Sequence, residues 1–340
     1  MTGAPAGHEN QEVAVSNGSN TREITTIAAV GSGYMGGGIA QVLALSGKDV
    51  VLGDVDRATA DAARDRLLKQ AEAFATAGLF PEDAPSRLAD RLSVADSIED
   101  AAAAAQYVTE AVPEDPEIKD STLRRVSAAA DPGTIIGTNT SALPIGRLAE
   151  SVQHPERFLG VHWMNPAPFV PGVEIIAHST TAPEVVDVAE SLVRAAGKVT
   201  ARVADTPGFV ANRLQFALYK EAVKVVEEGL ATADQVDLVV SNAFGFRLAL
   251  FGPFAIGDMA GLDVYAASYR TLAEQYGERF EAPRSLTELV QAGNLGLKTG
   301  KGFLDIEESA KDDLVAYRDR AYQRLSALRA ELGQAPGLPG

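Results

Sequence analysis

The chain holds four histidines and no cysteine. Few side chains can therefore move a proton near neutral pH, and thiolate chemistry and Cys-ligated metal sites are excluded. His8 falls in a polar N-terminal stretch, His154 stands in Gln-His-Pro and reads as a loop residue, and His178 reads as exposed at a strand end. His162 is different. It closes an apolar run, 158–162, and precedes Trp-Met-Asn-Pro-Ala-Pro. Glu174 lies in the next strand-like segment, 173–176, beyond prolines and a Pro-Gly pair that can reverse the chain. A carboxylate against one imidazole nitrogen fixes the tautomer and leaves the other nitrogen to take a proton. Such a pair suits oxidation of an alcohol, with His162 accepting the hydroxyl proton as hydride departs. On spacing alone, a buried structural histidine and a surface glutamate fit as well.

A second constellation is Gly31-Ser-Gly-Tyr-Met-Gly, in which Gly31, Gly33 and Gly36 follow an apolar run at 24–30 and open a helical pattern. An acid, Asp54, ends the next strand-like run 18 residues after Gly36. In that context the spacing predicts a dinucleotide site: a tight turn at Gly31, approach of the pyrophosphate at Gly33, and close helix–strand packing at Gly36. Tyr34 and Met35, at the helix start, present backbone N–H groups to the phosphates. Asp54 would accept from the adenosine ribose and repel a 2′-phosphate, which favours NAD over NADP; nearby Arg57 offsets this slightly.

The elements that must position these residues alternate. Strands are predicted at 105–109, 134–137, 158–162, 173–176 and 198–203, with helices at about 57–77, 116–129 and 183–196. This pattern predicts an α/β fold with a Rossmann-type doubly wound, mostly parallel sheet. From residue 209 onward helical spacing takes over, so an all-α C-terminal domain is expected, ending in a helix at about 309–332. The expected division is a flexible tail (1–23), a cofactor-binding domain (24–204), a helical substrate and dimerisation domain (205–332) and a tail (333–340). With 30 basic against 46 acidic residues the formal net charge is −16, which disfavours nucleic acid and anionic membranes as partners. No apolar run is long enough for a membrane span, and the N-terminus lacks the features of a secretory signal, so a cytoplasmic enzyme is expected. No metal site is expected.

Apart from the glycine-rich turn, five motifs in one order resemble the L-3-hydroxyacyl-CoA dehydrogenase family. They are Thr138-Asn-Thr-Ser-Ala, His162-Trp-Met-Asn-Pro with Glu174, Asp205-Thr-Pro-Gly-Phe-Val-Ala-Asn-Arg, Gly252-Pro-Phe with Asp258, and Gly296-Leu-Lys-Thr-Gly-Lys-Gly-Phe. The resemblance spans about 25–305. It implies NAD as cofactor, His162 as general base and Glu174 as its partner. It also implies that Ser141 and Asn212 hydrogen-bond the substrate's 3-oxygen, with Asn165 supporting the same site. Glu110, in Thr-Glu-Ala-Val-Pro-Glu, matches a family glutamate near the nicotinamide, and Asn139 joins the cofactor set. A small-molecule substrate and a homodimer are implied. The implied substrate is an L-3-hydroxyacyl-CoA. The turn Ala-Phe-Ala-Thr-Ala-Gly-Leu-Phe-Pro-Glu-Asp lacks the lysines that meet CoA in many relatives. The segments around Arg247 and in the last helix are similar to the L-gulonate 3-dehydrogenase and lambda-crystallin branch. That branch implies a free 3-hydroxy acid, with Arg247 or Arg213 near its carboxylate. A non-catalytic NAD-binding protein and an imine reductase are the remaining alternatives.

Overall fold

The computed structural model describes residues 23–337; His8, nearly all of the predicted N-terminal tail and the last three residues lie outside them. The strands are β1 (Thr26–Val30), β2 (Asp49–Gly53), β3 (Leu92–Val94), β4 (Tyr107–Glu110), β5 (Ile135–Thr138), β6 (Phe158–Trp163), β7 (Gly172–Ala177) and β8 (Val199–Ala204). Between them run α1 (Tyr34–Leu45), α2 (Arg57–Thr76), α3 (Ala84–Arg91), α4 (Ile98–Ala103), α5 (Pro116–Ala129), α6 (Ile145–Ala149) and α7 (Pro183–Ala195). The described chain forms two compact units that divide between Phe216 and Ala217.

In the first unit one sheet has the order β3-β2-β1-β4-β5-β6-β7-β8. All neighbours are parallel except β6 and β7, which run antiparallel. Strands in such a sheet bury both faces, so their side chains feed two cores by alternation. Ile27 and Ala29 face one apolar cluster, with Val161, Trp163 and Ile175; Ala28 and Val30 face the other, with Phe158, Ile176 and Phe209. The strand order reverses at β1–β4, where doubly wound sheets open a ligand crevice at their carboxyl ends.

The turn from β1 into α1 depends on two glycines. Gly31 has φ of +85°, and a Cβ there would lie 2.8 Å from Val112 N. At Gly36 a Cβ would fall 1.8 Å from the Gly31 carbonyl oxygen, so the helix lies on the strand's turn only because that atom is missing.

The second unit carries the rest of α8 (Ala211–Glu227), then α9 (Ala233–Asn242), α10 (Phe244–Leu248), α11 (Pro253–Ala260), α12 (Leu262–Tyr276), α13 (Arg284–Gln291) and α14 (Lys311–Leu332). No strand longer than an isolated bridge occurs among its described residues. Arg279 ties α8 to the end of α12 through Glu221 and Glu228. Asp258 is fully buried, and its carboxylate accepts from the N–H groups of Phe303 and Leu304. The Gly252-Pro-Phe…Asp258 and Gly296…Phe303 motifs thus meet in one turn, where a Cβ at Gly302 would strike the carboxylate.

Gly36→Ala is expected to lower stability by about 1–3 kcal/mol, because an interior with no room must move its backbone. Urea unfolding checks this; an unchanged midpoint would show that α1 can yield at no cost.

Candidate active site

His162 and Glu174 face each other across the β6–β7 register. Directly opposed residues on antiparallel strands point to one face of the sheet, so the hairpin register alone brings the pair together. His162 Nδ1 lies 2.9 Å from Glu174 Oε2, and both side chains are buried. With Nδ1–H donating to the carboxylate, Nε2 is left as the proton acceptor. The other carboxylate oxygen, Oε1, accepts from Val210 N at 3.0 Å and Ala211 N at 2.9 Å. Burial alone would raise the Glu174 carboxyl. The hydrogen bonds from His162, Ala211 and Val210 outweigh it and hold the group below the ordinary carboxylate value.

Phe209 packs on the imidazole at a centroid distance of 5.6 Å. It adopts φ of +48° after Gly208 at +74°, a left-handed conformation that costs a non-glycine residue about 1–2 kcal/mol. Full burial of its ring and the flanking hydrogen bonds hold it there. Upstream, Asp205 accepts from Ile145 N and Gly146 N at the start of α6. Downstream, Asn212 Nδ2 donates to the Ser141 carbonyl at 2.8 Å. The segment 205–212 is therefore fastened at three points to the loop after β5 and to β7.

A cavity of about 640 Å³ opens at the carboxyl ends of β1, β2, β4 and β5, within the range of small-molecule sites. It gathers Gly31, Gly33, Tyr34, Met35, Asp54, Asn139 and Ser141 on one wall system. The first turn of α1 has no side-chain cap at Gly33, and a Cβ built there meets nothing within 4 Å. Free helix N–H groups facing open space suit a pyrophosphate. Asp54, at the next strand end, is held by Ser32 N at 2.7 Å and stays partly exposed toward the cavity. These residues fit NAD. Arg57 is paired with Asp96 and Asp61 and does not line the cavity.

His162, Glu174, Asn212 and Asn165 do not line this cavity. Asn139 links the two regions, since its Oδ1 accepts from Trp163 N at 2.9 Å, one residue beyond the histidine. Asn165 is exposed on the following loop, before a cis peptide bond to Pro166. Arg213 is exposed in the first turn of α8, and Arg247 lies in the helical unit beside a cavity with Arg318 and Tyr322.

Glu110 is the last residue of β4, fully buried, and both carboxylate oxygens are spent. Oε1 accepts from Val112 N at 2.8 Å and Lys119 Nζ at 2.9 Å; Oε2 accepts from Thr138 Oγ1 at 2.5 Å. It has no exposed surface and does not line the cavity. Of the two glutamates in Thr-Glu-Ala-Val-Pro-Glu, the one on the cavity wall is the second, Glu114. Its Oε1 accepts from Thr140 Oγ1, Ser141 N and Ala142 N and so shapes the Ser141 loop. Burial raises the Glu114 carboxyl, but those hydrogen bonds and the Lys119 charge leave it below its ordinary value. Its place in the first loop residues past a strand end was the available signal.

Residues 26–206 match the family model described as 3-hydroxyacyl-CoA dehydrogenase, NAD binding domain, and residues 208–306 match the C-terminal domain of the same family. The 5-formyl-3-hydroxy-2-methylpyridine 4-carboxylate 5-dehydrogenase of Mesorhizobium japonicum is 35% identical over 298 residues, covering 87% of this chain and 96% of its own. A probable 3-hydroxybutyryl-CoA dehydrogenase of Bacillus subtilis is 34% identical over 287 residues, covering 84% and 99%. Among solved structures, the 3-hydroxyacyl-CoA dehydrogenase of Archaeoglobus fulgidus superposes with a TM-score of 0.73 at 31% identity, covering 89% of this chain and 99% of that one.

Because the Glu174 carboxyl lies below its ordinary 4.5, its contribution to stability is fully present above about pH 4.5 and is lost as pH falls through the lowered value. The unfolding midpoint of Glu174→Gln should therefore fall below wild type at neutral pH, and the gap should close on acidification. A gap that stays constant down to pH 3 would refute the assignment.

Proposed function

The chain belongs to the 3-hydroxyacyl-CoA dehydrogenase family of NAD-dependent oxidoreductases acting on CH–OH groups, and from that premise we propose that it interconverts an L-3-hydroxyacyl-CoA and the 3-ketoacyl-CoA. NAD supplies the hydride acceptor. His162 Nε2 takes the 3-hydroxyl proton during oxidation and returns it during reduction, while Glu174 holds the ring and balances the imidazolium charge. Ser141 and Asn212 hydrogen-bond the 3-oxygen, and Asn165 supports that site. Gly31, Gly33, Gly36, Tyr34, Met35, Asp54 and Asn139 hold the dinucleotide. Residues 24–204 carry the cofactor, and residues 205–332 complete the substrate site and dimerise. None of the residues of α8 is buried, and Phe216, Leu218, Tyr219, Val223 and Val226 stand exposed on it; a second copy of the chain would cover them. The observation that carries the reading is the buried His162–Glu174 pair at the carboxyl end of β6.

One observation favours a second reading, a small free carboxylate in place of the thioester. On α2, Arg57 is paired with Asp61 and Asp96, Arg64 donates to the Leu92 and Ala89 carbonyls, and Arg66 donates to the Ser32 carbonyl. Lys69 is left as the one cation of that helix without a partner among the described residues. A polyanionic CoA tail would find little there. The M. japonicum relative is named for a pyridine carboxylate. In this reading Arg213 or Arg247 receives the carboxylate.

His162→Gln is expected to keep NADH affinity and to lose roughly 10²–10⁴-fold in turnover; unchanged turnover would sink the assignment. NADH consumption with acetoacetyl-CoA, beside NAD reduction with L-gulonate and 3-hydroxybutyrate, separates the two substrate readings. Turnover of the thioester supports the first, and turnover of free acids alone supports the second.

A further inference from the structure

Lys198 immediately precedes β8 and is only 8% exposed, yet no carboxylate among the described residues pairs with it. Its ammonium instead donates to three carbonyls of one short loop: Ala167 at 2.6 Å, Pro168 at 3.2 Å and Val170 at 2.9 Å. It also stands 5.9 Å from the ring centroid of Trp163, the residue after His162. A buried ammonium without a counter-ion is costly, and burial pushes this lysine's pKa down. A neutral side chain of similar length would pack there more cheaply. The charge is used to bind carbonyl dipoles.

The loop so held begins just after Asn165 and turns through hydrogen bonds from Phe169 N and Val170 N to the Pro166 carbonyl. It presents Phe169 outward, 43% exposed, with its ring centroid 5.2 Å from that of Phe74 in a T-shaped contact and 5.9 Å from that of Phe80 in a tilted one. Behind Phe169 a small cavity is lined by Gly38 and Gln41 of α1, Gln70 and Phe74 of α2, and the loop itself. Gly33, Tyr34 and Arg66 border both it and the larger cavity. The α1 surface is fitted to the loop, since a Cβ at Gly38 would lie 3.1 Å from Pro168 Cδ.

We propose that Lys198 is a positioning residue for substrate: its ammonium latches loop 166–170 onto Trp163 and α1, and so fixes Phe169 as the wall against which the substrate's tail is held. The proposal rests on the dehydrogenase reading above for the word substrate, but not for the latch itself. Lys198 touches no reacting atom, so its loss should weaken substrate binding and leave the chemical step nearly alone.

Trp163 is the only tryptophan of the chain and is 3% exposed, so its fluorescence reports on the latch without turnover. In Lys198→Met we expect red-shifted emission and greater quenching by acrylamide. For the substrate that wild type turns over, KM should rise about tenfold with kcat and NADH affinity within about threefold. Phe169→Ala should give the same rise in KM, and the double variant no more than either alone, since both act through one loop. Lys198→Gln, which keeps two donors, is the substitute if the methionine variant does not fold. Unchanged quenching, or KM effects that multiply in the double variant, would overturn the proposal. If wild type turns over none of the substrates tried, the functional reading fails, and the quenching result still decides the latch.

Discussion

One carboxylate holds two things at once. Glu174 binds His162 Nδ1 with one oxygen and the first N–H groups leading into α8 with the other. A helix start leaves such N–H groups without internal partners, and a carboxylate near the positive end of the helix dipole is stabilised. The orientation of the base and the entry of the helix therefore share one anchor, and neither can shift without disturbing the other. Asp205 on α6 and Asn212 on the Ser141 carbonyl repeat the tie on either side. The strained Phe209 sits in the middle of this fastened segment and closes over the imidazole.

The cofactor side is built on a different principle. There the decisive atoms are missing ones, the Cβ atoms that Gly31 and Gly36 do not have, together with an uncapped helix start facing open space. The two regions meet through Asn139 and Trp163 N. Backbone geometry shapes the dinucleotide side, and side-chain hydrogen bonding shapes the proton-transfer side.

The sheet and the His162–Glu174 pair were readable because both rest on local rules. Alternating strands and helices dictate a doubly wound sheet, and two apolar runs joined by turn residues dictate a hairpin whose register opposes the two side chains. β3 escaped because three residues carry no distinct pattern. Spacing does not separate Glu110, the buried last residue of its strand, from the first loop acids beyond it, where Glu114 reaches the cavity wall. Lys119 and Lys198 were invisible for another reason. Each is a long side chain reaching a segment about 20 to 30 residues away, and nothing in the neighbouring sequence marks a lysine as buried.

The Glu110–Lys119 pair has a consequence for how this sequence can change over time. Both side chains are fully shielded from water, and they neutralise each other. Losing Lys119 would strand the Glu110 charge in the interior, and losing Glu110 would leave Lys119 only the more distant Glu114 carboxylate, at 3.8 Å; breaking a buried pair costs about 3–5 kcal/mol, a large share of a domain's net stability. Replacing both with apolar residues of the same volume would cost far less. Mutational drift at these two sites must therefore cross a valley one step wide. Descendants should keep the pair intact or exchange it as a unit, and a lone substitution should survive only in a background stabilised elsewhere.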